Sequence, residues 1–211
     1  MMLATDALAS APAWLSTWAI PIGAGICLSA ATGFRTFVPL LCVALAARFG
    51  LFPLDAQYGW LVSTAGVIAL ATAAVFEVGA YYIPVVDNLL DVIATPLSMV
   101  AGTLVMFTSI GADHGLPGWL LATVLGGGLS GMVQLTTVKA RALSTGTTGG
   151  LANPLLATTE LIGSTLLSSL AVFVPVIAAV LAVLVLFLLW RTIRWLRRPT
   201  PTLTLSAGSV V

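Results

Sequence analysis

A polytopic bundle of transmembrane helices is the fold this sequence predicts, and three observations predict it. Apolar residues fill 59% of 211 positions against 7% charged, mean hydropathy is +1.11, and the apolar residues gather in five long runs. Too few polar groups remain to cover a water-soluble globule. One all-α membrane domain is expected at 20–190, after an N-terminal segment at 1–19 and before a basic juxtamembrane segment and tail at 191–211. The net charge of +1 gives no electrostatic case for nucleic-acid binding.

A hydrocarbon core of about 30 Å needs about 20 helical residues. The first qualifying run, 20–48, is longer than a straight span and holds "SAATGFRTFVPLL", with Gly33, Arg35 and Pro39 together. A break into half-helices there would absorb the excess length, and a re-entrant pair would raise the span count from five to six. Cys27 and Cys42 lie fifteen residues apart in this run, about 22 Å of helical rise, so no disulfide is expected between them. The opening "MMLATDALASAPAWLSTW" lacks the basic start of a secretory signal, so the first span is expected to be retained.

The second run, 60–81, places Ala65, Ala69, Ala73 and Glu77 at four-residue intervals, a small-residue stripe that predicts close helix approach with Glu77 facing protein. The third, 90–110, follows "IPVVDNLLDVIATPL", which sets Asp87 and Asp91 on one helical face beside Asn88. In the fourth, 118–138, Gly127, Gly131, Gln134 and, beyond its end, Arg141 share roughly one face. The fifth, 161–190, is led by the polar stripe Glu160, Ser164 and Ser168, and contains Pro175. The tail after Trp195 is polar and proline-broken, which predicts disorder.

Arg191, Arg194, Arg197 and Arg198 follow the last run, which predicts a cytoplasmic C-terminus. Five spans then put the loop after Arg48 and "GADHGLPG" inside. They put the N-terminus, "YYIPVVDNLLD" and "KARALSTGTTGGLANP" outside. Lys139 and Arg141 fall on the wrong side for that rule, but on the same side as Asp87 and Asp91. A charged rim of Asp87, Asn88, Asp91, Lys139 and Arg141 is therefore expected. "GAGICLSAATGFRTF" and "GGGLSGMVQLTTV" both lead with glycines into Leu-Ser, three spans apart, the pattern of an inverted internal repeat.

Ionisable groups inside spans face a bundle interior or a wet cavity. Arg35, Thr36, Glu77, Gln134 and Glu160 are accordingly the expected interior polar site, with Arg35 paired to Glu77 or Glu160. No cofactor or metal is expected. His114 is the only histidine, in a short loop beside Asp113, and neither it nor the cysteines complete a zinc set. "STGTTGGLANP" lacks the Gly-Lys-Ser/Thr ending of a phosphate loop and reads as a helix connection. No nucleophile stands beside a base, so an enzyme is not expected.

"GICLSAATGFRTFVPLL", Glu77 with "IPVVDNLLDVIATPL", and "STGTTGGLANPLLATTE" together resemble a family of bacterial integral membrane proteins filed as domain of unknown function four-one-two-six. The likeness covers about residues 23–190, and its motifs are specific in combination. Arg35, Thr36, Glu77, Pro84, Asp87, Asn88, Asp91, Thr95, Pro96, Gly149, Gly150, Asn153, Pro154 and Glu160 match its pattern. The family often carries a second acid after the last glutamate, where this chain has Leu161. The resemblance implies a compact protein of the inner membrane and supplies no substrate. The residues themselves point to a small transporter or channel-like protein for an ion or small, anionic solute. The alternative is a non-transporting scaffold or assembly factor whose small-residue faces bind partner helices. Membrane lipids and a second copy of the chain are the other expected partners.

Overall fold

The computed structural model of the protein describes residues 14–111 and 115–175, together with 177, 178, 180, 181, 184, 187, 191 and 194. The N-terminal residues 1–13, the Asp113–His114 loop pair and the tail from 195, for which expectations were given above, lie outside the described residues.

Every regular element described is helical. A π turn, Leu15–Ala19, leads into α1 (Ile20–Phe34), and α2 (Phe37–Arg48) follows after two residues. A 3-10 turn (Ala56–Tyr58) and the short α3 (Gly59–Val62) precede α4 (Thr64–Ala80), bent from it by 58°. Ser63 makes that joint by accepting the Gly66 N–H on its hydroxyl. Helix α5 (Pro84–Ile110) contains Pro96. Helices α6 (Gly115–Leu121) and α7 (Gly128–Thr148) are joined through a π turn, Ala122–Gly127, into one rod. Helix α8 spans Asn153–Phe173.

Four helical stretches are long and apolar enough to cross a membrane, or five with the bent α3–α4 pair, and α2 is a shorter apolar helix. The expected five runs thus correspond to a helical membrane bundle, with two changes. The first run is not one span. The fifth does not run unbroken from 161 to 190: α8 starts earlier, at Asn153, and is interrupted at Val174, ahead of Pro175, whose ring disfavours α geometry in the residue before it.

The first run reverses direction. Along α8, Ser164 Oγ donates to Ala31 O and the Cys27 thiol lies 3.6 Å from Leu167 O, so α1 climbs antiparallel to α8. A cavity of about 250 Å³ farther along is lined by Cys42, Ala46 and Phe49 of the α2 side and by Ser169 and Val172 of α8. Helix α2 therefore descends again, and its partner α4 agrees. Thr36 and Phe37 meet Glu77 at one end, while Arg48 donates to Val62 O at the other. The two helices form a hairpin with Arg35 and Thr36 at its tip. Pro39 causes no kink, because it sits in the first turn of α2, where its missing N–H has no intrahelical partner to lose. Since α1 and α2 begin and end at the same side, the N-terminal end of α1 lies with Arg48, opposite to the placement that five simple spans require.

Helix α1 is the axis of the bundle. It is buried continuously from 23 to 33 and packs against α5, α7 and α8. Small residues permit this. A Cβ on Gly33 would stand 2.5 Å from Val133 Cβ and 2.6 Å from Ser130 O. Ser29 donates to Gly102 O and Ser130 to Ser98 O, so the Leu-Ser serines of the two similar segments both bond carbonyls of α5, one turn apart. The Gly127–Gly131 face of α7 likewise lies against Met99 and Thr103 of α5. On α4 the expected alanine stripe is only partly the packed face. Ala65 and Ala69 are exposed, and Leu70, Ala74 and, just beyond the helix, Tyr81 point inward, because α4 meets the bundle mainly through α2.

Candidate functional site

Five ionisable side chains and one tyrosine converge where the hairpin tip ends. The chain leaves α1 at Arg35 in an extended conformation, φ −145° and ψ 119°, which turns the side chain toward α8 and frees the start of α2. Asp91 and Glu160 each lie seven residues into α5 and α8, and Arg141 seven residues before the end of α7. At 1.5 Å per residue the cluster sits about 10 Å below the Gly149–Gly150 turn. Those two glycines, at φ 65° and 86°, make a left-handed reversal that brings Arg141 and Glu160 onto facing turns.

Glu160 joins the two arginines through one atom. Its Oε2 lies 3.3 Å from Arg35 Nη2 and also accepts from Arg141 Nη2. Arg141 donates through Nη1 to Asp91 Oδ1 at 2.6 Å, and Arg35 Nη2 donates to Ala157 O at 2.8 Å. Both guanidiniums approach the Tyr81 ring, at 4.1 Å for Arg35 and 4.0 Å for Arg141, close enough for cation–π attraction. Arg35 is 0% exposed and Arg141 1%, with Asp91 and Glu160 at 7% each. Such burial is costly for charges that are not paired and hydrogen-bonded. Arg35 Nε and Nη1 have no hydrogen-bond partner in the structure.

Glu77 has a different role from the expected ion pair. Its carboxylate accepts the Thr36 N–H at 2.7 Å and the Phe37 N–H at 3.0 Å, so it caps α2 at the end where orphan amides and the helix dipole favour an anion. A cavity of about 290 Å³ opens beside it between α4 and α5. Its walls are almost wholly apolar, from Ala73, Phe76, Leu90, Ile93, Ala94 and Leu97, with Glu77, Thr36 and Tyr81 at its polar edge.

Of the expected interior residues, Arg35, Thr36, Glu77 and Glu160 are brought together. Gln134 is buried, but it is two turns from Arg141 along α7, and its Nε2 has no hydrogen-bond partner. The expected rim is divided. Asp91 and Arg141 belong to the buried cluster, because α5 packs on α7 and brings Asp91 to Arg141, which in turn faces Glu160 of α8. Lys139, two residues from Arg141, points outward and is exposed. Asp87 and Asn88 lie in the first turn of α5, and their side chains are outside those described. Tyr81 was missed. The signal available for it was its spacing of four from Glu77, which sets both on one helical face. Both cysteines are free, and no group of three metal-ligating side chains occurs among the described residues.

Neither the curated proteins nor the solved structures include a match to this chain. A family described as "Domain of unknown function (DUF4126)" matches residues 22–195, a stretch that contains the hairpin, the shared carboxylate and the capped start of α2. The chain belongs to that family, DUF4126.

Proposed function

We propose that the protein is a small multi-pass transport protein of the bacterial cytoplasmic membrane, which passes an ion or small anionic solute through the site at Arg35, Glu77 and Glu160. The observation that carries this reading is the sharing of Glu160 Oε2 by two buried arginines at the tip of a broken helix. Arg141 also has Asp91, so Glu160 can be exchanged between the two arginines, and that exchange would give the site two states. A bistable element of this kind is what alternating exposure of a site requires. Unwound backbone at membrane depth is tolerated where protein or a wet cavity surrounds it, and the Arg35–Thr36 break meets that condition. The reading needs no enzymatic step, cofactor or nucleic acid, and its partners are membrane lipids, the solute and a second copy of the chain. The four arginines after residue 190 support a cytoplasmic C-terminus.

The test is flux in reconstituted vesicles. R35Q protein that remains folded should lose ion flux against the wild type, and undiminished flux in that variant overturns the proposal. A second reading, a membrane scaffold whose helix faces bind partner helices, is favoured by one observation, the closure of the Arg35–Glu160–Arg141 cluster from solvent. It predicts that no ion crosses in either protein.

A further inference from the structure

We infer that the groove between α4 and α5 is a binding site for a lipophilic monovalent cation of the quaternary ammonium class, with the Glu77 carboxylate as its counter-charge. The inference concerns binding on the outward side of Glu77 and does not depend on the transport reading.

Three observations carry it. First, the groove lies between two helix faces that are spaced to pack. Its α4 wall is Ala73, Phe76, Glu77 and Ala80, a contact face at i, i+3, i+4 and i+7. Leu90, Ile93, Ala94 and Leu97 repeat that spacing on the α5 wall. Between the two faces stands a cavity of about 290 Å³ where interlocked side chains would be expected, about 10 Å long at 1.5 Å per residue. That is the small end of ligand pockets, roughly 300–1,000 Å³. Second, the groove opens away from the bundle, since Phe76 and Ile93 on its two walls are 72% and 57% exposed. A solute dissolved in the membrane reaches it without crossing the arginine cluster. Third, the ionisable group on its walls carries a charge that no cation answers. Glu77 accepts from the Thr36 and Phe37 amides, which bring no formal charge, while Arg35 is paired with Glu160, and Arg141 with Asp91 and Glu160. With all groups ionised, these two arginines and three carboxylates sum to minus one, and one monovalent cation brings the sum to zero.

The surroundings select the class of cation. A metal ion needs several oxygen ligands, and the walls offer a carboxylate that already accepts two hydrogen bonds. A primary ammonium needs acceptors for its N–H groups and meets apolar side chains instead. A quaternary ammonium has no N–H to satisfy, covers its charge with apolar carbon, and is attracted to aromatic faces such as those of Phe37 and Phe76. A lipid acyl chain suits the walls but leaves the Glu77 charge unanswered.

Binding of radiolabelled benzyltrimethylammonium to the immobilised protein in uncharged dodecyl maltoside micelles tests this. The wild type should bind it saturably. Unlabelled tetraethylammonium should displace it, whereas equal concentrations of sodium chloride or of the uncharged isostere neopentylbenzene should not. E77Q should bind roughly 10- to 100-fold more weakly, as loss of a unit charge about 6–10 Å from the ammonium implies at an effective dielectric constant of about 20. A73L should abolish binding by filling the groove while leaving Glu77 and its amides in place, so the inference is decided even where E77Q does not fold. Wild-type affinity in either variant overturns it, as does the absence of saturable binding to the wild type. Displacement by neopentylbenzene would make the groove an acyl-chain site and displacement by sodium a metal-ion site, and each of these results also overturns the inference.

Discussion

Replacing Glu160 by Gln removes the one charge that two buried arginines share. Breaking a buried ion pair by deleting one partner costs about 3–5 kcal/mol, because the surviving charge is left uncompensated. Arg141 keeps Asp91 at 2.6 Å, so most of the cost falls on Arg35, left with Ala157 O and the Tyr81 ring. The glutamine oxygen can return one hydrogen bond from the charged guanidinium, about 1.5–3 kcal/mol, which leaves a net loss of about 2 kcal/mol. Since about 1.4 kcal/mol is a factor of ten, the unfolded fraction should rise by roughly 30-fold. Reversible unfolding in mixed micelles, followed by tryptophan fluorescence, measures it. The double variant R35M/E160Q should recover most of the loss, because the stranded charge is gone. A loss in E160Q below about 0.5 kcal/mol, or simple additivity in the double variant, refutes the shared-carboxylate account.

Three further outcomes follow from the geometry. Thr17→Cys and Leu51→Cys should be labelled by an impermeant maleimide from one side of sealed vesicles and Leu151→Cys from the other; labelling of positions 17 and 51 from opposite sides would remove the hairpin. Y81F should lose about 1–2 kcal/mol with the hydroxyl's hydrogen bond to Arg141, whereas Y81A should lose about 2–4 kcal/mol with the ring contacts to both arginines as well, a difference the same unfolding assay resolves. Gly33→Ala should destabilise by about 1–3 kcal/mol, since backbone at Ser130 cannot yield, while Gly146→Ala meets nothing within 4 Å and should stabilise by about 0.5–1 kcal/mol.

Much of the arrangement was legible because charge in an apolar run is so constrained. Arg35 beside Gly33 and Pro39 marked the break, and Glu160, one of two acids proposed for it, is its ion-pair partner. The polar stripes Glu160–Ser164–Ser168 and Gly127–Gly131–Gln134–Arg141 are buried along their whole lengths. What the sequence could not reveal depends on direction. Nothing local distinguishes a kinked span from a hairpin at residues 35–36, because the reversal is fixed by where α4 and α8 stand. The same is true of Glu77, whose partner proved to be backbone amides with no side-chain signature. Asp91 and Arg141 were expected at a rim because they lie near span ends. Two helical turns of depth are enough to bury them, and Lys139 shows how sharply helix face decides, being exposed only two positions from Arg141.

The hairpin also imposes an order of events on synthesis. Helix α2, with twelve residues, rises about 18 Å and cannot cross a bilayer alone, and its leading end carries an arginine that costs about 2.5–3.5 kcal/mol at a helix centre on insertion scales. The carboxylate that neutralises Arg35 lies 125 residues later (160 − 35), which at about 5–20 residues per second leaves the ribosome roughly 6–25 seconds afterwards. Glu77 and Asp91 emerge before α8, but Glu77 binds backbone amides and Asp91 binds Arg141, so the Arg35 guanidinium waits for Glu160 to make its ion pair. The pair that seats the hairpin tip is therefore the last part of the cluster to be completed.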